Sequence, residues 1–198
     1  PEGSNGAVRR AQEMAAEHPE YCFLYQYGND ANPRAHYEGT GPELYRDLPE
    51  ITHFVAGLGT SGTLMGTGRY LKEQNPNIKV IAIEPPLGER VEGLRNLEDG
   101  YIPPVFDMWH GADLLDRKRV VRPRESLEWT RRLVHECGVF AGISAGAAMA
   151  GAAKVASEIE SGVIAFIVCD GGWKYLSTGA YTDDLDAAEA KAESIIYF

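Results

Sequence analysis

A chain of 198 residues that is 44% hydrophobic and 24% charged can bury a real core, which excludes a disordered tail and suits one domain, or one domain plus a piece of another. A formal net charge of −10 argues against nucleic acid or an acidic membrane surface as the main partner, while permitting a local basic pocket. No apolar run is long enough to span a bilayer and no signal peptide opens the chain, so the cytoplasm is the expected location.

Cys22, Cys137 and Cys169 are odd in number and far apart. Two of them sit in strand-like apolar runs where a thiol acts as a small hydrophobe, so all three are expected to be reduced and structural. His18, His36, His53, His110 and His135 show no ligand spacing with cysteine or carboxylate, which gives a metal site little support; each reads as an ordinary surface or core histidine.

The first residue is Pro1 and a helix-like stretch begins almost at once at Asn5, so a missing upstream segment is expected. Residues 7–17 are alanine-rich at 3–4 spacing, with a polar cap in residues 3–5 and Pro19 beyond the end, and predict an amphipathic helix. Residues 21–26 form a continuous apolar run, the mark of a buried strand. Turn chemistry fills residues 27–33. Gln26, Asn29 and Asn32 are candidates for touching a ligand, although amides at a strand end more often tie up loop backbone. A helix is predicted over 41–48 and a strand over 52–56.

That strand runs into Gly57-Leu-Gly-Thr-Ser-Gly62, a glycine- and hydroxyl-rich turn that opens a helix. Gly57, Gly59 and Gly62 allow positive φ and close approach to a ligand. Thr60, Ser61 and Thr63 add hydroxyl donors beside free N–H groups, at the positive end of the helix dipole. The turn is also literally G-x-G-x-x-G, and Glu84 closes the next strand, residues 77–84, about where a ribose-binding acid is expected; a dinucleotide therefore competes with a phosphomonoester. Three hydroxyls favour the phosphomonoester, whose terminal oxygens need several donors, and the turn reads as a phosphate cradle.

Residues 85–116 make a long Gly- and Pro-rich loop, of a length that is usually functional or disordered. Its Arg95 either clamps a second anion near the cradle or is a solvated surface side chain. A short charged strand over 117–122 and a helix over 125–136 follow. A second strand–turn–helix spans 138–151, with Ser144 at the junction as a plain N-cap or a donor to a flat ligand. Residues 164–169 predict another buried strand, and 185–198 a helix with an apolar end. Strands alternating with helices give an α/β fold, a three-layer sandwich around a mostly parallel sheet, with the cradle at its carboxyl edge.

Gly59-Thr-Ser-Gly-Thr63, Gly142-Ile-Ser-Ala-Gly-Ala147 and Trp173-Lys-Tyr-Leu-Ser-Thr178 together resemble the cysteine synthases among the fold-type II pyridoxal-phosphate enzymes. Tyr25-Gln-Tyr-Gly-Asn29, His36-Tyr-Glu-Gly-Thr-Gly-Pro-Glu43 and Gly93-Leu-Arg-Asn96 are most similar to the O-phosphoserine-dependent group of actinobacteria. The resemblance implies that Gly59, Thr60, Ser61, Gly62 and Thr63 hold the 5′-phosphate of pyridoxal 5′-phosphate, and that Ser144 faces the pyridine nitrogen. It implies that Gln26 lies by the substrate carboxylate and Arg95 recognises the substrate phosphate.

The same resemblance implies that residues 1–33 are a remnant of a smaller N-terminal lobe and 34–198 a large cofactor-binding lobe with a C-terminal tail. The family's Schiff-base lysine and substrate-carboxylate loop belong to an N-terminal part of the fold that is missing here. None of Lys72, Lys79, Lys118, Lys154, Lys174 and Lys191 offers the dry, aimed amine such a lysine needs, so no catalytic residue is assigned and the chain alone is expected to be inactive. The family activity is β-replacement on O-phosphoserine or O-acetylserine. Its sulfur comes from sulfide or a thiocarboxylated carrier protein, and its usual form is a homodimer. The alternatives are a dinucleotide-dependent oxidoreductase and a non-catalytic fragment.

Overall fold

The computed structural model describes residues 3–194. Its centre is a four-stranded, fully parallel sheet in the order β3-β2-β1-β4. The strands are β1 His53–Gly57, β2 Lys79–Glu84, β3 Arg117–Val120 and β4 Ile164–Phe166. Side chains alternate across a pleated strand, and here each face goes to a different core. Phe54, Ala56, Val80 and Ala82 pack against one set of helices, whereas Val55, Ile81 and Ile83 pack against another.

The first face is covered by α3 (Gly41–Asp47), α4 (Gly62–Gln74) and α5 (Pro104–Met108), through Leu44, Leu64, Met65, Leu71 and Val105. The second is covered by α7 (Pro123–Cys137), α8 (Ile143–Glu158) and α9 (Leu185–Ser194), through Leu127, Ala147, Ala150, Val155 and Ala188. The predicted three-layer α/β sandwich is therefore present. α8 comes very close to the sheet because it is built from small residues; a Cβ at Gly151 would lie 2.1 Å from Cδ1 of Ile83. The remaining elements are α1 (Gly3–Glu17), α2 (Ala31–Ala35), a π-helical turn (His36–Thr40), α6 (Gly111–Leu114) and a 3-10 helix (Gly172–Thr178).

Several expectations need correction. Residues 21–26 are not a strand: they run unpaired across the surface, with Leu24 at 72% exposure. An apolar run becomes a strand only when a neighbouring strand takes its backbone hydrogen bonds, and none among the described residues does. Residues 138–142 contribute one isolated bridge, Ala141 to Gly171, instead of a strand. Gly142, with extended φ and ψ, caps α8, so Ser144 lies inside the helix and is not its N-cap. Beyond Phe166 the chain leaves the sheet edge, which leaves Val168 and Cys169 exposed.

All three cysteines are free and exposed, so they are not the buried structural thiols expected. The polar residues read as a cap for α1 form its first turn. The predicted turn over 27–33 gives way to α2 at Ala31. The predicted terminal helix is α9, and its apolar end, residues 195–198, lies outside the described residues.

Candidate functional site

Three segments meet at the carboxyl edge of the sheet: the turn after β1, residues 91–96 and the start of α8. Residues 91–96 are stitched to the end of β1 by Arg95 N–H donating to the Leu58 carbonyl at 2.8 Å, while Leu58 N–H donates to the Ile83 carbonyl at 2.8 Å. Close approach is what the glycines provide. A Cβ at Gly57 would lie 2.4 Å from Leu94, one at Gly59 would lie 2.6 Å from the Gly93 carbonyl oxygen, and one at Gly93 would reach within 3.9 Å of the Ser144 hydroxyl.

The positive φ expected of the turn's glycines falls instead on Ser61, at 69°. Its hydroxyl donates to the Thr60 carbonyl and the side chain is buried, so Ser61 shapes the turn and spends its own proton inward. The first α4-type hydrogen bond is Met65 N–H to the Ser61 carbonyl, and the N–H groups before it lie at the positive end of a 13-residue helix.

Thr60 and Thr63 are set from outside the turn. Asn32 donates its amide to Thr60 Oγ1 at 2.9 Å and to the Gln26 carbonyl at 2.8 Å. A Cβ at Gly62 would lie 2.0 Å from Asn32 Oδ1, so that glycine makes room for the amide. Gly62 N–H also points at Thr60 Oγ1, at 3.3 Å. With its acceptor sites engaged, the Thr60 hydroxyl keeps a proton to donate. Thr63 Oγ1 lies 3.2 Å from Nε2 of His36. Asn32 therefore braces the loop, as amides in such turns usually do, and also braces the cradle. Sequence reasoning assigned His36 no role. The contact joins residues 27 positions apart, and no local pattern encodes it.

Ser144 lies on the first turn of α8 with Cys169 beside it. Its surroundings are acidic. Asp170 accepts from the Tyr175 hydroxyl at 2.7 Å and from Lys174 at 3.3 Å. Glu92 is half-buried, and burial together with the neighbouring Asp170 charge pushes its pKa up to about 7. Gln26 is exposed, with its carbonyl bonded to Asn32.

Arg95 is not a solvated surface side chain: it is only 5% exposed. Its guanidinium sits 4.9 Å from the Tyr27 ring centroid and 4.8 Å from that of Tyr101, and donates to Asn5 Oδ1 at 2.7 Å. Tyr101 in turn shares a hydrogen bond with Tyr25 at 2.9 Å.

Glu84 is unavailable to a ribose, since it is buried and bound to Lys118 at 2.9 Å. The lysines are likewise committed: Lys72 and Lys79 to Asp116, Lys118 to Glu84, Lys154 to Glu125, Lys174 to Asp170 and Lys191 to Asp183. Among the described residues no group of His, Cys, Asp or Glu forms a metal cluster, and no helix is long and apolar enough to cross a membrane.

Residues 1–170 match the family described as "pyridoxal-phosphate dependent enzyme". The chain is 39% identical over 181 residues to cysteine synthase B of Pseudomonas aeruginosa, covering 91% of this chain and 59% of that protein. It is 41% identical over 189 residues to a cysteine synthase of Aquifex aeolicus, covering 92% and 57%. Among solved structures, an O-acetylserine dependent cystathionine beta-synthase from Helicobacter pylori superposes with a TM-score of 0.81 at 34% identity, over 91% of this chain and 60% of that one. An O-ureido-L-serine synthase superposes at 0.80 with 32% identity, over 92% and 60%. The chain thus spans less than two thirds of the length of these relatives.

Proposed function

Because this chain belongs to the pyridoxal-phosphate dependent enzyme family, we propose that it is the phosphate-holding and substrate-recognising part of a cysteine synthase. The reaction proposed is β-replacement on an O-activated serine. The observation that carries this reading is the convergence of the turn at residues 59–63, the loop at 91–96 and the start of α8 at one edge of the sheet.

The residues fit the cofactor's phosphate. Thr60 and Thr63 present hydroxyls, the α4 N-terminus presents N–H groups, and the glycines keep Cβ atoms out of the way. Ser144, on the first turn of α8, is assigned to the ring nitrogen. When bound, pyridoxal phosphate supplies an electron sink for charge developing at the substrate α-carbon. Gln26 is assigned to the substrate carboxylate and Arg95 to a substrate phosphate, which makes O-phosphoserine the preferred substrate over O-acetylserine.

In this reading residues 1–33 belong to a smaller lobe and 34–198 to the large one, and the covalent lysine is not among the six present. The enzyme would work as a cytoplasmic homodimer, with sulfur from sulfide or a thiocarboxylated carrier protein. The burial of Glu84 and its ion pair with Lys118 are what turn the reading away from a dinucleotide.

Binding of pyridoxal phosphate to the purified chain, followed by fluorescence and then by borohydride reduction and intact mass, tests this. The expected result is weak binding that inorganic phosphate competes away, with no stoichiometric reduced adduct. A single-site adduct on any of the six lysines would overturn the missing-lysine part; binding indifferent to phosphate would overturn the cradle. In an active form of the protein, Arg95→Ala should cost ~1.5–3 kcal/mol in kcat/KM for O-phosphoserine, the size of a charge-assisted hydrogen bond, and little for O-acetylserine.

A further inference from the structure

His36 opens a π-helical turn that lies directly on α4, the helix whose first turn forms the cradle. The approach is close because Gly66 has no side chain: a Cβ there would sit 2.0 Å from the Pro33 carbonyl oxygen and 2.8 Å from His36 Cβ. Short π-helical stretches are rare and recur at functional sites. This one leaves the His36 ring half-buried between two hydroxyls, with Nδ1 2.9 Å from Thr40 Oγ1 and Nε2 3.2 Å from Thr63 Oγ1.

We propose that His36 is a positioning residue for the cradle, whose ring tautomer makes the Thr63 hydroxyl a donor toward a bound phosphate. This rests on the reading of residues 59–63 as a phosphate cradle.

A neutral imidazole between two hydroxyls has two arrangements. With the proton on Nε2, the ring donates to Thr63 Oγ1 and accepts from Thr40. The Thr63 hydroxyl then accepts from the ring and keeps its own proton to give to an anion. With the proton on Nδ1, the chain reverses: the ring donates to Thr40, Thr63 donates into Nε2, and only Thr63 lone pairs face the cradle. That second arrangement repels a phosphate, so a phosphate selects the first. Burial lowers the His36 pKa, which keeps the neutral, tautomer-choosing form dominant near neutral pH.

Nitrogen-15 NMR of the histidine rings during titration with inorganic phosphate and with pyridoxal phosphate is the direct test. Saturation should drive His36 to a protonated Nε2 and an unprotonated Nδ1. Phosphate affinity should fall about five- to tenfold in His36→Phe, matching the loss of one neutral hydrogen bond. It should fall at least as far in Thr63→Val, and the double variant should be no weaker than Thr63→Val alone. An unprotonated Nε2 in the saturated wild type, or additive losses in the double variant, overturns the proposal even if phosphate binds. Wild-type binding that Thr63→Val leaves unchanged overturns the cradle reading and this proposal with it. The NMR arm uses only the wild type, so a folding defect in a variant does not leave the question open.

Discussion

Two helices begin at the same edge of the sheet, and they present opposite faces to whatever lies there. α4 starts among neutral polar groups: Thr60, Thr63, the Asn32 amide and the His36 ring. α8 starts among acids, with Asp170 and Glu92 close by, and its own first carbonyl is tied down from behind by Ser126 Oγ at 2.7 Å. Both ends carry the same helix dipole, so the dipole cannot be what assigns their roles. The neighbours do: carboxyl groups around α8 disfavour an anion there, whereas the start of α4 is left free to receive one. On the proposed reading, these neighbours make the α4 start the place for a phosphate and the α8 start the place for a neutral or protonated group.

The largest effect is expected where α8 is most tightly held. A Cβ at Gly146 would come within 2.3 Å of the Ser126 backbone carbonyl oxygen and 2.0 Å of Thr130 Oγ1. Gly146→Ala should therefore push α7 and α8 apart and cost ~2–3 kcal/mol in urea denaturation. A loss under ~0.5 kcal/mol would mean that the α8 start is not rigid, and the contrast with α4 would weaken.

Glu92 gives the next effect, and its sign follows from linkage. Its folded pKa, about 7, lies above the ordinary value of 4.5, so the stability it allows is fully present below pH 4.5 and is lost as pH rises through 7. Glu92→Gln should be about as stable as wild type near pH 4 and more stable by ~1–2 kcal/mol at pH 8, less than full linkage because the group is only half-buried. Parallel stability curves for the two proteins across this range would refute an acid-lined α8 start.

At the α4 start the obstacle to a side chain is the movable amide of Asn32, and alanine is the better helix former. Gly62→Ala should therefore change stability by under ~1 kcal/mol. Its cost should appear in phosphate affinity, because Asn32 must leave Thr60. Calorimetry of phosphate binding beside a denaturation curve separates the two; unchanged affinity would remove Asn32 from the cradle.

The sheet and the glycine–hydroxyl turn that opens α4 were legible because each rests on local chemistry. Phe54, Val55 and Ala56 announce a buried strand, and the glycine–hydroxyl turn announces a helix start that meets an anion. The supports of this turn were only partly legible: Asn32 reads as a candidate that ties up loop backbone, as it does at the Gln26 carbonyl, but its hold on Thr60 and that of His36 on Thr63 cross the fold and no local pattern encodes them. Residues 21–26 misled for the complementary reason: Tyr21, Phe23 and Leu24 have strand composition, but a ladder needs a second backbone that sequence cannot supply. Ser144 was located correctly near a helix start but is not the cap, which falls two residues earlier on the extended Gly142.

The tyrosine cage around Arg95 has an entropic consequence. An arginine side chain gives up ~2 kcal/mol of rotamer freedom when it is fixed. Arg95 is held between Tyr27 and Tyr101 by the fold itself, so that freedom is lost during folding, before any anion arrives. A ligand that reached this guanidinium would meet a cation already aimed. Asn5, on α1, helps to hold that aim, so fraying of the first helix would be felt as weaker recognition at a loop 90 residues away.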